Sequence, residues 1–291
     1  MNQDPLRRPR FSLQTRGRTI ELGERTLVVG VLNLTPDSFF DGGLYQGRDK
    51  ALQRARQMVD QGADLIDIGA ESSRPGADPV SQQEEMRRLL PVLEALRSHL
   101  AIPLMVDTYK AEVARAAAAA GADLINDISA FRLDSQMAQV VAESGVGCVL
   151  MHMRGTPADM QKRAPSPDIL SDIDCYFEHA LAEASAEGIG HDRIILDPGI
   201  GFGKTVHDNL LILNRLSFLR RFSLPILVGT SRKSFIGKIL DLPVEERLLG
   251  SAASAAAALM RGAHLVRVHD VAAMRQVADI VDAILREREG E

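Results

Sequence analysis

The strongest constraint on how this chain folds is a unit that returns three times. "QGADLIDIG" begins at Gln61, "AGADLINDI" at Ala120 and "RGAHLVRVHD" at Arg261. Each places a Gly where a helix should stop, then a small residue, then a short run rich in Leu, Ile and Val. Gly tolerates the left-handed conformation that ends a helix, and an unbroken apolar run suits a strand buried on both faces, as in parallel sheets. With that template eight strands are predicted: Thr26–Asn33, Leu65–Gly69, Pro103–Asp107, Leu124–Asp127, Gly147–His152, Ile194–Pro198, Ile226–Gly229 and Leu265–His269. Helical patterns fill the gaps. Leu52, Ala55, Met58 and Val59 share one helix face, Ser81 with Glu84 reads as a capping-box start, and "AEVARAAAAAG" is a strong helix former ending at Gly121. Further helices are predicted over Asp134–Ser144, Asp168–Glu187, His207–Arg221, Glu245–Arg261 and Val271–Glu287. Eight alternations of strand and helix specify a single parallel (β/α)8 TIM barrel, an α/β fold that typically takes about 250 residues. The 291 residues are read as one domain, its core about 26–287. An open doubly wound sheet would need a glycine-rich turn after strand one, and "NLTPDSFFDGG" is too long and too polar for that. The segment Phe11–Gly23 alternates, and is expected to form a short N-terminal hairpin closing the barrel bottom.

Chemistry in such a barrel sits at the C-terminal ends of the strands. Here those ends carry Asn33, then Glu71, Ser73 and Arg74, then Asp107, Asn126 with Asp127, Met151 with His152, Asp197, Ser231-Arg232-Lys233, and Arg267 with His269. A barrel built for stability alone does not need a polar group at all eight ends, although Asp127 and Asp270, taken singly, read as helix caps. The ring divides by chemical type. Asp107, Asn126, Asp197 and Lys233 suit a flat heterocycle, because a carboxylate accepts two adjacent N–H groups. Asn33, Ser73, Arg74, Arg267 and His269 are rich in donors, as an anion site must be. The Asn33 amide oxygen could also ligate Mg²⁺, which prefers oxygen.

Several classes of function are disfavoured. Aromatic residues make up 4% of the chain, there is no Trp, and the formal net charge is −5, so neither a base-stacking platform nor a polyanion partner is expected. No apolar run reaches the roughly 18 residues of a membrane span, and the first ten residues lack an apolar signal region. The two cysteines, Cys148 and Cys175, suggest no disulfide framework or zinc site. A cytoplasmic protein acting on small molecules is the expectation. The loop "LDPGIGFGKT" at 196–205 looks like a phosphate cradle but fails the test, since Pro198 stands where a Walker loop needs Gly, and the three glycines are evenly spaced. It reads as a turn leaving strand six beside Asp197, with Lys204 and Thr205 as ordinary solvated residues.

The motifs "GVLNLTPDSFFDGG", "DLIDIGAESSRPGA", "MVDTYK", "LINDIS", "VLMHMRGTP", "ILDPGIGFGK", "LVGTSRKSFIG" and "RVHDV" follow one another over roughly residues 26–275. In this order they resemble the dihydropteroate synthase family. The resemblance implies a transferase of folate biosynthesis that joins 7,8-dihydropterin-6-ylmethyl diphosphate to 4-aminobenzoate, giving 7,8-dihydropteroate and diphosphate, with a Mg²⁺ requirement and a homodimer. By matching motif it gives pterin contacts to Asp107, Asn126, Met151, Asp197 and Lys233, and diphosphate contacts to Asn33 (through the metal), Ser73, Arg267 and His269. Ser231 and Lys233 with Phe39 would frame the aminobenzoate, and Arg74 and Phe202 join the substrate contacts. Lys233, Arg267, His269 and Asp107 are the residues implied to carry catalysis. Three departures from the family pattern are Ser73 for the usual Thr, Phe40 for a small polar residue and Ile200 where an aromatic is common. The loops at 34–48 and 71–80 are rich in Gly, Pro and Ser and are expected to close over substrates. The nearest alternative is a pterin-binding barrel of the methyltetrahydrofolate–corrinoid methyltransferase type, which has no use for a diphosphate site. A non-enzymatic paralogue would be expected to have lost Asn33, Lys233 or Arg267.

Overall fold

The computed structural model describes residues 8–34, 44–71, 80–163 and 165–287. An antiparallel hairpin, β1 (Phe11–Gln14) and β2 (Thr19–Leu22), precedes eight parallel strands. These are β3 (Leu27–Asn33), β4 (Leu65–Gly69), β5 (Leu104–Asp107), β6 (Leu124–Asp127), β7 (Gly147–Met151), β8 (Ile194–Asp197), β9 (Leu227–Val228) and β10 (Leu265–Val268). The pairing order is β8-β7-β6-β5-β4-β3-β10-β9. A parallel bridge between Leu196 and Ile226 joins β8 to the segment entering β9, and so closes the ring. The helices are α1 (Leu44–Asp60), α2 (Gln82–His99), α3 (Ala111–Ala119), α4 (Met137–Ser144), α5 (Ile169–Ala186), α6 (Val206–Asn214), α7 (Ser234–Leu240), α8 (Leu248–Met260) and α9 (Val271–Arg286). The glycines of the three repeats hold the left-handed conformation that their place after a helix demands, with φ of 95° at Gly62, 102° at Gly121 and 103° at Gly262.

Alternation along each strand sorts the core into two compartments. Ile66, Ile68, Val106, Ile125, Cys148, Leu150, Leu196 and Val266 face the helices. Leu27, Val29, Leu65, Met105, Leu124, Val149, Ile195, Leu227 and Leu265 face inward and meet Leu13, Ile20 and Leu22 of the hairpin. The hairpin therefore stoppers the barrel at the N-terminal ends of the strands, as its alternation predicted, and leaves the opposite mouth for other uses.

Some predicted elements shift. Ser81 accepts the Glu84 N–H, but Glu84 turns its carboxylate to Arg87 and Arg88 rather than completing the box. The complete box belongs to Thr205 and Asp208 at the start of α6. The helix predicted over 207–221 breaks into α6 and a 3₁₀ segment, Leu216–Phe222. The helix predicted from Glu245 begins at Leu248, and α7 before it was not anticipated.

Strand β9 is two residues long, and a side chain supplements its ladder. The Ile226 N–H donates to His264 Nδ1 at 3.1 Å, and Nε2 of the same ring lies 3.1 Å from the Pro9 carbonyl. Both contacts suit one neutral tautomer, and a second proton would set two donors against each other. Burial, seconded by Arg8, accordingly pushes His264 down to about 3. The folded value lies below the unfolded one of about 6.5, so His264 contributes stability that is complete above pH 6.5 and is lost as pH falls toward 3. Loss should approach roughly 1.4 kcal/mol per pH unit in that window. Thermal melts across it, with NMR titration of the His264 ring, test this; a ring midpoint near 6.5 in the folded protein would refute it.

Candidate active site

The residues at the open mouth follow from the stopper by counting. Two positions beyond the inward apolar layer, the same strand faces carry Asp67, Asp107, Asn126, Met151, Asp197, Gly229 and Arg267. A strand that points Leu65 into the barrel must point Asp67 there too. Chemistry thus replaces hydrocarbon one rung above the plug, at the C-terminal end where barrels of this kind place it.

Arg267 sits across the floor of the mouth. Its Nε donates to Asp67 and its Nη2 to Asp107 at 2.9 Å. Asp67 is fully buried. Burial raises its carboxyl, with Arg267 opposing. Burial likewise pushes Asp107 up to about 7, again against Arg267. Against the cost of its own burial, the two carboxylates hold the guanidinium above its ordinary value. The Asn126 amide turns Nδ2 toward Asp67, at 3.5 Å, which leaves its buried Oδ1 without a partner. Asp67 thus sets which end of the amide the mouth receives: an acceptor. Asp67 is the one member of this cluster absent from the sequence prediction, and its signal was parity with Leu65.

Asp197 closes the opposite side. It is buried, and its Oδ1 accepts the Gly199 N–H at 2.7 Å. Burial raises it, while that N–H together with Lys233, Arg267 and Lys204 holds it down. Lys233 lies with its ammonium 4.2 Å from the centre of the Phe202 ring. Burial pushes it down to about 8, against the attraction of Asp197. Met151 packs with Ile128, Met153 and Met160, and Tyr109 and Phe202 lean on that group. The mouth therefore pairs buried acceptors with an apolar wall, a combination that fits one edge and one face of a flat ring.

The glycine loop holds this wall in place. Gly199, Gly201 and Gly203 all have positive φ. A methyl on Gly199 would meet the His152 carbonyl at 1.9 Å, one on Gly203 would meet Arg154 at 2.8 Å, and one on Gly201 would press on Lys233. The expectation of solvated residues holds for Thr205, which is exposed, and is overturned for Lys204. Lys204 is buried and donates to the carbonyls of His152, Gly199 and Phe202 at 3.1, 2.8 and 3.2 Å, tying the loop to the end of β7, while Thr205 caps α6. Burial brings Lys204 down to about 7. The signal in the sequence is a Lys beside a run of carbonyls freed by a glycine turn.

Both chemical halves meet at one mouth, since Lys233 lies in the field of Asp197, Arg267 and Asp107, and His269 in that of Arg267 and Lys233. The division between them is less clean than the residue types implied, because Arg267 belongs to the floor. The Ser231 Oγ accepts the His269 N–H at 3.2 Å and lies 3.0 Å from its Nδ1. Burial, with Arg267, pushes His269 down to about 4, so it serves as a neutral hydrogen-bonding group. Arg232, next to Ser231 in the chain, turns through φ 56° and pairs with Asp270 at 2.9 and 2.7 Å. Asp127, on the helix side of β6, holds the turn at Ser129 and Phe131. Asn33 Oδ1 and Asp107 Oδ2 flank Gly69 at the rim. Glu71 and Val80 are bonded to each other at 3.2 Å and to Lys110 at 2.5 and 2.6 Å. Ser73, Arg74, Phe39 and Phe40 lie outside the described residues.

Comparison with known proteins points the same way. The family of pterin binding enzymes matches residues 29–269. The dihydropteroate synthase of Bacillus subtilis is 47% identical over 273 residues, covering 94% of this chain and 93% of the relative. The crystal structure of the Yersinia pestis dihydropteroate synthase with a sulfonamide drug superposes with a TM-score of 0.89 at 46% identity, covering 94% of this chain and 99% of that one. The Xanthomonas albilineans enzyme with 4-aminobenzoic acid gives 0.86 at 40% identity, covering 94% and 98%.

Proposed function

The chain belongs to the dihydropteroate synthases of the pterin-binding enzyme family, and we propose from that premise how its own residues divide the reaction. The observation that carries the reading is the pair of buried acceptors, Asn126 Oδ1 and the Asp197 carboxylate, facing the Lys233–Phe202 wall. Asp197 takes the adjacent N–H groups on one edge of the dihydropterin, Asn126 and Asp107 take the remaining ring nitrogens, and Lys233 donates to the far edge. Met151 and Phe202 cover the faces. Ser231, His269 and the outward edge of Arg267 receive the diphosphate and frame 4-aminobenzoate, together with Ser73, Arg74 and Phe39. The corrinoid methyltransferase reading falls with the family assignment.

In the reaction the bond from the pterin methylene to diphosphate oxygen breaks, its electron pair leaving with diphosphate. The amine lone pair forms the new C–N bond, and the nitrogen then sheds a proton. An aromatic amine is already nucleophilic, so stabilising the departing charge is the main lever. Arg267 and the Ser231–His269 pair supply donors for it, the pair offering one because its mutual bond takes the other hydrogen, and the Asp107 and Asp197 carboxylates favour positive character on the pterin side. Mg²⁺ fits Asn33: one amide oxygen at the rim, near Asp107, suits an ion that binds one or two protein oxygens and completes its shell with water and substrate phosphate. When bound it supplies charge neutralisation to the diphosphate. The described residues hold no group of three His, Cys, Asp or Glu side chains that would cage a metal unaided.

We also propose a homodimer, with Ile239, Leu240, Val244 and Leu249, exposed where α7 runs toward α8, as part of its contact. No described helix is long and apolar enough to cross a membrane. Two free cysteines accord with a reducing, cytoplasmic setting. The direct test is diphosphate release from the pterin diphosphate. Release should require Mg²⁺ and rise to saturation with 4-aminobenzoate; release indifferent to the amine would mean hydrolysis and would count against the reading.

A further inference from the structure

A second cavity, of about 410 Å³, lies outside the mouth, on the helix side of the β7 exit. Met151 points into the barrel, so His152 points out, and it lines this cavity with Arg132, Arg154 and Tyr176. Three observations distinguish it from a surface hollow. His152 is 2% exposed, yet its Nδ1 has no hydrogen-bond partner. The ring stands edge-on to Tyr176, 4.7 Å between centres, and the nearby Pro198 carbonyl favours the proton on the other nitrogen, which assigns the unmet Nδ1 the acceptor role. Arg132, exposed at the rim of the cavity, stacks on the same Tyr176 ring at 5.0 Å and makes no ion pair with a carboxylate among the described residues. Lastly, the turn that delivers Arg132 holds two successive non-glycine residues at positive φ, Ala130 at 48° and Phe131 at 72°. Such strain is uncommon and persists where the surroundings enforce it, here through Asp127.

We propose that this cavity binds an inorganic oxyanion that carries its own proton, hydrogen phosphate being the simplest. A buried lone pair on His152 calls for a hydroxyl or N–H, and the Arg132 and Arg154 guanidiniums call for anionic oxygens. Hydrogen phosphate offers both within one small tetrahedron. Asp172 and Glu183 on the α5 side disfavour an anion bearing no proton and can accept a hydroxyl hydrogen. Arg154, 3.7 Å from Asp172, is placed to share itself between that carboxylate and the ligand. The cavity is also joined to the mouth, since the His152 backbone N–H donates to the Asp197 carbonyl at 2.9 Å and the His152 carbonyl accepts from Lys204.

The test is an NMR titration of full-length protein labelled at histidine, with inorganic phosphate as the probe and sulfate as the anion of like shape without a proton at neutral pH. His152 ring signals should move saturably with phosphate and need at least about tenfold more sulfate, the discrimination expected from one charge-assisted hydrogen bond. His269 signals report anions at the mouth separately. Arg132→Met should abolish the His152 response and leave that of His269. If Arg132→Met disturbs the fold, seen as movement of His264 signals without ligand, Arg154→Met is used in its place with the same expectation. No movement of His152, equal sensitivity to sulfate, or an unchanged His152 response in the variant would overturn the proposal.

Discussion

Arg267→Met should unfold roughly 10 °C below the parent and lose about 10²–10³-fold in kcat/KM. The two losses have different origins. Removing the guanidinium leaves Asp67 and Asp107 facing each other in a buried space. Each carboxylate must then take up a proton or remain uncompensated, and breaking one partner out of such a cluster costs about 3–5 kcal/mol. Asp107, which burial already lifts to about 7, would lose the opposing pull of Arg267 and rise further. The catalytic loss is that of one preorganised donor to the departing diphosphate. A second substitution separates them: Asp67→Asn in the Arg267→Met chain removes the surplus charge, so the melting temperature should recover by more than half while activity stays low. A single variant melting within about 2 °C of the parent would mean that the cluster is solvated enough to need no counter-charge.

That dependence bears on what could be read from the sequence. Strand positions were legible because a parallel barrel buries both faces, so each strand is an apolar run punctuated by Gly, and the Gly62, Gly121 and Gly262 turns follow directly. The hairpin was legible from alternation. The residues at the strand ends were legible as a set because stability alone does not call for a polar group at all eight ends. What sequence could not supply was pairing between strands far apart in the chain. Arg267 and Asp67 are 200 positions apart, and only closure of the ring shows that a donor assigned to the anion is shared with the floor. Asp67 was hidden inside "LIDIG" as one more strand residue, though its spacing from Leu65 already turned it inward. Lys204 misled for the opposite reason. Lysine is mostly exposed, and three carbonyls gathered by a glycine turn reverse that preference locally. The missed α7 has a similar cause: seven residues following Lys233 carry too short a pattern to stand out from a loop.

Since Arg267 serves both fold and anion, the cleaner division of the mouth lies between Asp197 and His269. Asp197→Asn should weaken binding of a bare pterin by about 10²–10⁴-fold, the worth of two hydrogen bonds to a charged acceptor. Asparagine is nearly isosteric, but its amide must point Nδ2 either at the Gly199 N–H, which Asp197 Oδ1 now accepts at 2.7 Å, or at the N–H edge of the ligand. Either choice sets donor against donor. The fold should tolerate the change, because the charge removed is compensated locally. Lys204, held near 7 with Asp197 as its principal attraction, sheds its proton more readily once that carboxylate is gone, and its carbonyl contacts do not need the charge. His269→Ala should do the reverse: near-normal affinity for bare pterin, and at least about tenfold weaker binding once the diphosphate is attached. Calorimetric titration of both variants with both ligands decides the matter. Equal losses for bare pterin would mean that ring and anion are not held by separate groups. A full-strength bare-pterin complex in Asp197→Asn would mean that the buried carboxylate at the end of β8 faces something other than the ring.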